Sequence, residues 1–167
     1  AILFTFGLLT VVHYKLKLFT GTSGFFESKK DLYNLLLILF GNIVGTSIVA
    51  LLVNIAMPAL VTSASEILAN RMENTIPSTI ILGVGCGFVM TTAVTFGRED
   101  KFLPLLFGVP LFIMCGFLHS IADAFYYAVA YASLTIKVIP IYISIVIGNF
   151  IGCNLYRIIF LTKKSKL

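Results

Sequence analysis

Five long apolar stretches, separated by short polar connectors, leave this 167-residue chain few ways to fold in water. They cover residues 1–18 with a short second piece to 26, 32–57, 76–96, 102–118 with a short second piece to 131, and 137–161. About 20 mostly apolar residues cross a bilayer core as a helix. Strands are disfavoured, because transmembrane strands alternate apolar and polar over about 10 residues and these runs are apolar on all sides. Residues are 59% hydrophobic and 11% charged, against about a quarter charged in an ordinary soluble domain. So little polar surface cannot cover a water-soluble globule. The expectation is a single all-α membrane domain over 1–167, with 58–75 as a short amphipathic helix or loop outside the bilayer.

The net charge of +5 does not signal nucleic acid, because the basic residues sit at the ends of apolar runs and form no water-facing stripe. Their positions instead give an orientation. Lys29 and Lys30 follow the first region, Arg98 and Lys101 the third, and Lys163, Lys164 and Lys166 the fifth; the alternate connectors carry only Arg71 and Lys137. By the excess of lysine and arginine in cytoplasmic loops, the first set faces the cytoplasm and the C-terminus lies inside. Five spans then leave Ala1 outside, and the abrupt apolar start implies a preceding helix absent from this sequence. Cys86, Cys115 and Cys153 lie in apolar runs with no CxxC pairing, so they read as small buried side chains and not as a disulfide framework or metal site. No basic lead-in marks the opening run as a cleavable signal.

Two parts of the chain look alike. In the first, an interruption at 18–24, Leu18-Phe19-Thr20-Gly21-Thr22-Ser23-Gly24, precedes a helix bearing Gly41-Asn42-Ile43-Val44-Gly45. In the second, an interruption at 116–120 precedes a helix bearing Gly148-Asn149-Phe150-Ile151-Gly152. One unit (1–57) enters from outside and the other (76–162) from inside, so the units are inverted. Broken helices in an inverted repeat mark a substrate path near the midplane, since unpaired backbone at that depth is tolerated only inside protein or along a polar cavity. The glycines themselves, with Gly83, Gly85, Gly87 and Gly108, read as close-packing positions.

His119 is the most informative side chain. It stands at the second break beside Ser120 and four residues before Asp123. Ionisable groups inside membranes face an interior path and find a partner, and imidazole exchanges protons near neutral pH; the bland alternative is a histidine bonded to a neighbouring helix. Thr20, at the first break, offers a hydroxyl to an anion or to His119, unless it bonds its own backbone. Lys17 and Lys15 lie near that break, either lending a field to the path or pairing with an acid, for which Asp123 is the obvious choice. Phe4, Leu8, Leu18, Phe19, Phe112 and Phe117 flank the breaks, where apolar rings strip water from an ion or simply pack. No nucleotide loop, metal cluster or catalytic triad is present, so an enzyme is not expected.

The pieces Leu18-Phe19-Thr20-Gly21, Gly41-Asn42-Ile43-Val44-Gly45, Phe117-Leu118-His119-Ser120-Ile121-Ala122-Asp123 and Gly148-Asn149-Phe150-Ile151-Gly152 resemble, in order and membrane placement, the motifs of the formate/nitrite transporter family. The resemblance covers nearly the whole chain and leaves the family's first helix without a counterpart. It implies an aquaporin-like inverted-repeat bundle and a homopentamer in the cell's inner membrane, with a pore in each protomer for formate, nitrite or hydrosulfide and no cofactor. It also implies pore roles for Thr20, His119 and Asn149, beside the field that Lys17 could lend the path, and slits formed by Phe4, Leu8, Leu18, Phe19, Phe112 and Phe117. The chain departs from the family pattern in having Leu118 for the acid before the histidine, Asp123 for an asparagine, Lys17 for an acid and Gly87 for an asparagine. Those departures resemble the hydrosulfide-channel branch more than formate channels. The implied passage is an anion drawn to a vestibule, dehydrated at an apolar ring, and met by Thr20 and His119 through hydrogen bonds or a proton. The alternatives are a neutral-solute channel, which would carry paired NPA motifs not found here, and a structural membrane subunit with no pore.

Overall fold

The structure, a computed structural model, describes residues 2–23 and 28–164; Ala1, Gly24, Phe26 and Lys166 of the sequence reading lie outside them. Among the described residues, eight α-helices follow in order: α1 Ile2–His13, α2 Phe19–Thr22, α3 Lys29–Ala56, α4 Ala59–Met72, α5 Ile76–Gly97, α6 Leu103–Met114, α7 Ser120–Val129 and α8 Val138–Lys164, with a 3-10 turn at Tyr131–Ser133. Among the described residues, α3, α5 and α8 are long and apolar enough to cross a membrane. The first and fourth apolar regions are instead split, as α1 with α2 and α6 with α7. The connector 58–75 holds the helix α4.

Local chemistry sets the long helices. Ser28 caps α3 through a capping box: its hydroxyl oxygen accepts from the Asp31 amide, and the Asp31 carboxylate accepts from the Ser28 amide at 2.8 Å. Thr75 caps α5, where Pro77 stands in the first turn that needs no amide donor. Pro104 opens α6 in the same way.

The two half-helices end alike, and the first ends earlier than the sequence motifs suggest. Lys15 takes a left-handed φ of 53° and Gly116 one of 67°. After each, an amide reaches back five residues, Leu16 to the Val11 carbonyl at 2.9 Å and Phe117 to the Phe112 carbonyl at 3.0 Å. This is the six-to-one bond that closes a helix on a left-handed residue. The first interruption therefore occupies 14–18, and 19–22 is helical, which corrects the expected break at 18–24. Gly21 permits a close approach, since a methyl there would meet the Val94 side chain at 3.3 Å. The extended residues that open α2 and α7 match too: Leu18 has φ −111° and ψ 129°, His119 φ −110° and ψ 111°. Lys15 and Gly116 are thus equivalent, as are Leu18 and His119.

The short helices leave their breaks in opposite directions. The α2 end is reached from the C-terminal half of α8, where Asn154 donates to the Ser23 carbonyl at 2.9 Å. The α7 end is reached from the C-terminal end of α3, where Asn54 donates to the Val129 carbonyl at 3.2 Å. Because the start of α3 follows α2 in the chain, α2 and α7 run to opposite ends of the bundle. The repeat is inverted, as expected.

At the centre, α5 and α8 cross on their glycines. A methyl at Gly83 would lie 3.1 Å from Gly148 Cα, one at Gly148 would lie 2.5 Å from the Ile80 carbonyl, and those at Gly87 and Gly152 would press on the Asn149 and Val84 carbonyls. Small-xxx-small spacing on both helices permits this backbone approach. A second core joins Leu8 and Val12 of α1, Cys86, Met90 and Val94 of α5, and Leu105, Val109 and Phe112 of α6. By contrast α3 turns large apolar side chains outward, Phe40 and Ile55 among them. Gly116 has open space around it, so Gly116→Ala should cost only the left-handed backbone penalty of about 1–2 kcal/mol. Gly152→Ala must instead force α5 and α8 apart, as overpacking does at about 1–3 kcal/mol or more. Thermal unfolding in detergent should rank wild type above Gly116→Ala above Gly152→Ala.

Candidate functional site

Each break leaves amides and carbonyls that no helix satisfies, and one asparagine answers each. Asn42 of α3 accepts from the Phe19 amide at 2.9 Å and donates to the Lys17 carbonyl at 3.1 Å. Asn149 of α8 accepts from the Ser120 amide at 2.8 Å and donates to the Leu118 carbonyl at 2.7 Å and the Gly83 carbonyl at 2.9 Å. The asparagine of each GN-x-x-G thus spans the same two backbone positions of its own break. Asn149 is fully buried and its amide wholly engaged. Expected among substrate contacts, Asn149 is placed as a clamp on the backbone of the break. Asn42, its counterpart, was not singled out from the sequence, although the repeated motif carried the signal.

Between the two breaks Thr20 Oγ1 lies 2.9 Å from His119 Nε2. His119 also caps α7, its Nδ1 accepting from the amides of Ile121 and Ala122 at 3.2 Å each. With Nδ1 an acceptor, the proton of the neutral ring sits on Nε2 and points to Thr20. The Thr20 carbonyl is held from behind by the Thr91 hydroxyl at 3.1 Å and the Cys153 thiol at 3.0 Å. Thr91 did not stand out in the sequence and Cys153 read only as a small buried side chain, since a hydroxyl or thiol in an apolar helix carries no local signal.

His119 faces two cavities. One, of about 320 Å³, is lined by Phe4, Arg71, Phe112, Phe117 and Asp123 among others. The other, of about 400 Å³, is lined by Phe4, Leu8, Leu18, Thr46 and Phe125 among others. The Phe4 ring meets Phe112 edge-on with centroids 5.3 Å apart, and lies 5.8 Å from the imidazole; Phe112 lies 6.0 Å from it. Five of the six expected slit residues therefore line the cavities: Phe4, Phe112 and Phe117 on one side, Phe4, Leu8 and Leu18 on the other. Phe19 does not. It packs with Leu35 and Ile121, because the α2 turn rotates it away from its neighbour Leu18. Thr20, fully buried, lines neither cavity.

Charges frame the site unequally. Arg71 of α4 reaches over the first cavity and donates from Nε to Asp123 Oδ1 at 3.0 Å. The acid's partner is this arginine, not Lys15 or Lys17. The sequence held a clue, since Arg71 is one of the two bases in the alternate connectors and Asp123 an acid within an apolar run. Lys17, expected near the first break, is exposed there, at the end of the bundle opposite Arg71. There it lines a cavity of about 380 Å³ with His13, Lys15, Arg98 and Asp100, and another of about 530 Å³ with Asp31 and Asn34.

The family model described as formate/nitrite transporter matches residues 1–162. Among solved structures, the chain is similar to one described as a pentameric formate channel with formate bound, with a TM-score of 0.83 at 19% identity, over 98% of this chain and 81% of that one. At that identity the likeness is one of fold. A search of curated proteins found no match. Replacing Asn149 by leucine should strand the Ser120 amide and two carbonyls, each at about 1–3 kcal/mol. Asn42→Leu strands one amide and one carbonyl in a wetter place. Detergent-solubilised Asn149→Leu should therefore melt well below Asn42→Leu; equal melting would contradict the clamp.

Proposed function

The chain belongs to the formate/nitrite transporter family, and on that footing we propose that it is a channel passing small monovalent anions through a pore in each protomer of a homopentamer. It is an integral membrane protein and not an enzyme. The observation that carries the reading is His119, held by Thr20 and standing between two cavities with aromatic walls.

An anion stripped of water in hydrocarbon faces a penalty of tens of kcal/mol by Born solvation. Arg71 and the basic groups at the opposite end draw anions toward the cavities by their field. The anion sheds water at Phe4, Phe112 and Phe117. At His119 it accepts the Nε2–H hydrogen bond in place of Thr20, and the freed threonine hydroxyl turns to supply a second donor. It then leaves past Leu8 and Leu18. Because Nδ1 already accepts from two amides, the ring acts first as a fixed donor; proton transfer to the anion requires a supply from elsewhere.

Hydrosulfide is the favoured substrate, with formate and nitrite as further candidates. Leu118 stands where the family has an acid, and Asn149 is spent on the clamp, so the chamber offers few donors. That suits an anion with one centre and weak hydration better than a carboxylate that binds two donors. The whole of 1–167 forms one channel domain. The basic end carrying Lys15, Lys17, Arg98 and Lys101 faces the cytoplasm of the inner membrane, and the C-terminus with it, by the bias of basic residues.

Proteoliposome flux of formate, nitrite, hydrosulfide, chloride and glycerol tests this. Anions should pass and glycerol should not. Hydrogen bonds to a charged group are worth about 1.5–3 kcal/mol, so His119→Ala and Thr20→Val should each slow anion flux by roughly ten- to a hundredfold. Unchanged flux in both would defeat the reading, and passage of glycerol would favour a neutral-solute channel.

A further inference from the structure

One face of α7 carries polar groups that the anion path does not use. Ser120, Asp123 and Tyr127 fall at i, i+3 and i+7, a single stripe of the helix, and all three are buried. Tyr142 of α8 faces Tyr127 with ring centroids 6.1 Å apart. Among the described residues, Ser120 Oγ, Asp123 Oδ2 and the hydroxyls of Tyr127 and Tyr142 are all enclosed and complete no hydrogen bond with protein. One such orphan is commonplace. Four along one seam are not, because a buried polar atom left unpaired costs about 1–3 kcal/mol. Groups of this kind are satisfied by internal water, which needs two to four polar partners.

The seam has two ends. Asp123 belongs both to it and to the 320 Å³ cavity that His119 faces. Tyr127 and Tyr142 lie with Leu68 and Met72 of α4 at the end of the bundle where α7 emerges. Resting on the channel reading above, we infer that this seam holds ordered water and delivers protons to the chamber by a route separate from the aromatic slit. Hydroxyls and water relay a proton by donating one hydrogen while accepting another, which Ser, Tyr and a carboxylate all permit. Asp123 receives the proton at Oδ2 while Arg71 holds Oδ1. The proton passes on to the anion in the cavity, and both cross together as a neutral acid. The charged and titratable groups around Asp123 are Arg71 from α4, His119, Tyr126 and Tyr127 on its own helix, Tyr142 from α8 and Cys86 from α5. The His119 amide also attends the carboxylate. None of these is a second acid that would compete for the proton.

The test uses the whole protein in liposomes loaded with a pH dye, and radiolabelled formate or nitrite as probe. Uptake by wild type should acidify the interior. Tyr127→Phe and Tyr142→Phe keep the rings and remove only the hydroxyls, so anion uptake should persist. Protons delivered per anion should fall roughly fivefold, the worth of one ordinary hydrogen bond in the relay. A ratio unchanged in both variants overturns the seam, as does wild-type anion uptake without acidification. Wild-type vesicles that take up neither anion defeat the channel reading itself and the seam with it, a result distinct from either. If one variant fails to assemble, the other alone decides, since both hydroxyls lie on the same route.

Discussion

Breaking a helix inside a bilayer strands backbone groups that no solvent will satisfy, and the rest of this molecule is arranged around the answer. Asn42 and Asn149 each bridge an amide and a carbonyl across their break. Asn149 does so at a depth where it must also satisfy Gly83 on α5. That third bond requires α8 and α5 to lie in backbone contact, which only glycine at 83, 87, 148 and 152 permits. Clamp and crossing are therefore one device. With the second break fixed, His119 enters α7 at a set angle and spends Nδ1 on the helix amides, leaving a single nitrogen for chemistry.

The other half of the pair is fixed with less rigour. α2 is one turn long, too short to hold itself by helix cooperativity. Its place is set by neighbours: Asn42 on the Phe19 amide, and Thr91 and Cys153 on the Thr20 carbonyl. All three act on backbone, so the threonine hydroxyl remains free to follow the imidazole. A rigid donor thus faces an adaptable one, as the proposed brief binding of an ion requires.

Much of this was legible in the sequence, and the limits have physical causes. The apolar runs gave the helices, because a bilayer demands about 20 such residues per span, and the repeated GN-x-x-G gave the inverted halves. The Thr20–His119 pair followed from locating two breaks. The first break lies earlier than its motif because Lys15, a residue type that rarely does so, takes the left-handed conformation there. Phe19 was assigned to the slit since sequence distance cannot tell which way one turn of helix rotates a side chain. The backbone bonds of Asn149 were not legible, because a buried asparagine looks the same from sequence whether it serves substrate or backbone. Arg71 and Asp123, 52 positions apart, meet only once α4 has folded onto α7.

The two breaks share a backbone plan, and the site arises where their side chains differ. Lys15 and Gly116 close equivalent helices, and Leu18 and His119 open equivalent ones. Had both halves kept leucine, the meeting of the breaks would be an apolar plug with no donor for an ion. Had both kept histidine, two imidazoles would compete for one small space, and an ion would be held more tightly than a conducting path allows. One leucine and one histidine give a single polar group faced by an apolar one at the matching position of the other break. The charge pattern breaks the symmetry in the same sense: an arginine pinned by Asp123 at one end, and a looser set of lysines at the other. A repeated backbone plan supplies the frame, and its unequal filling leaves one histidine where the other half has leucine.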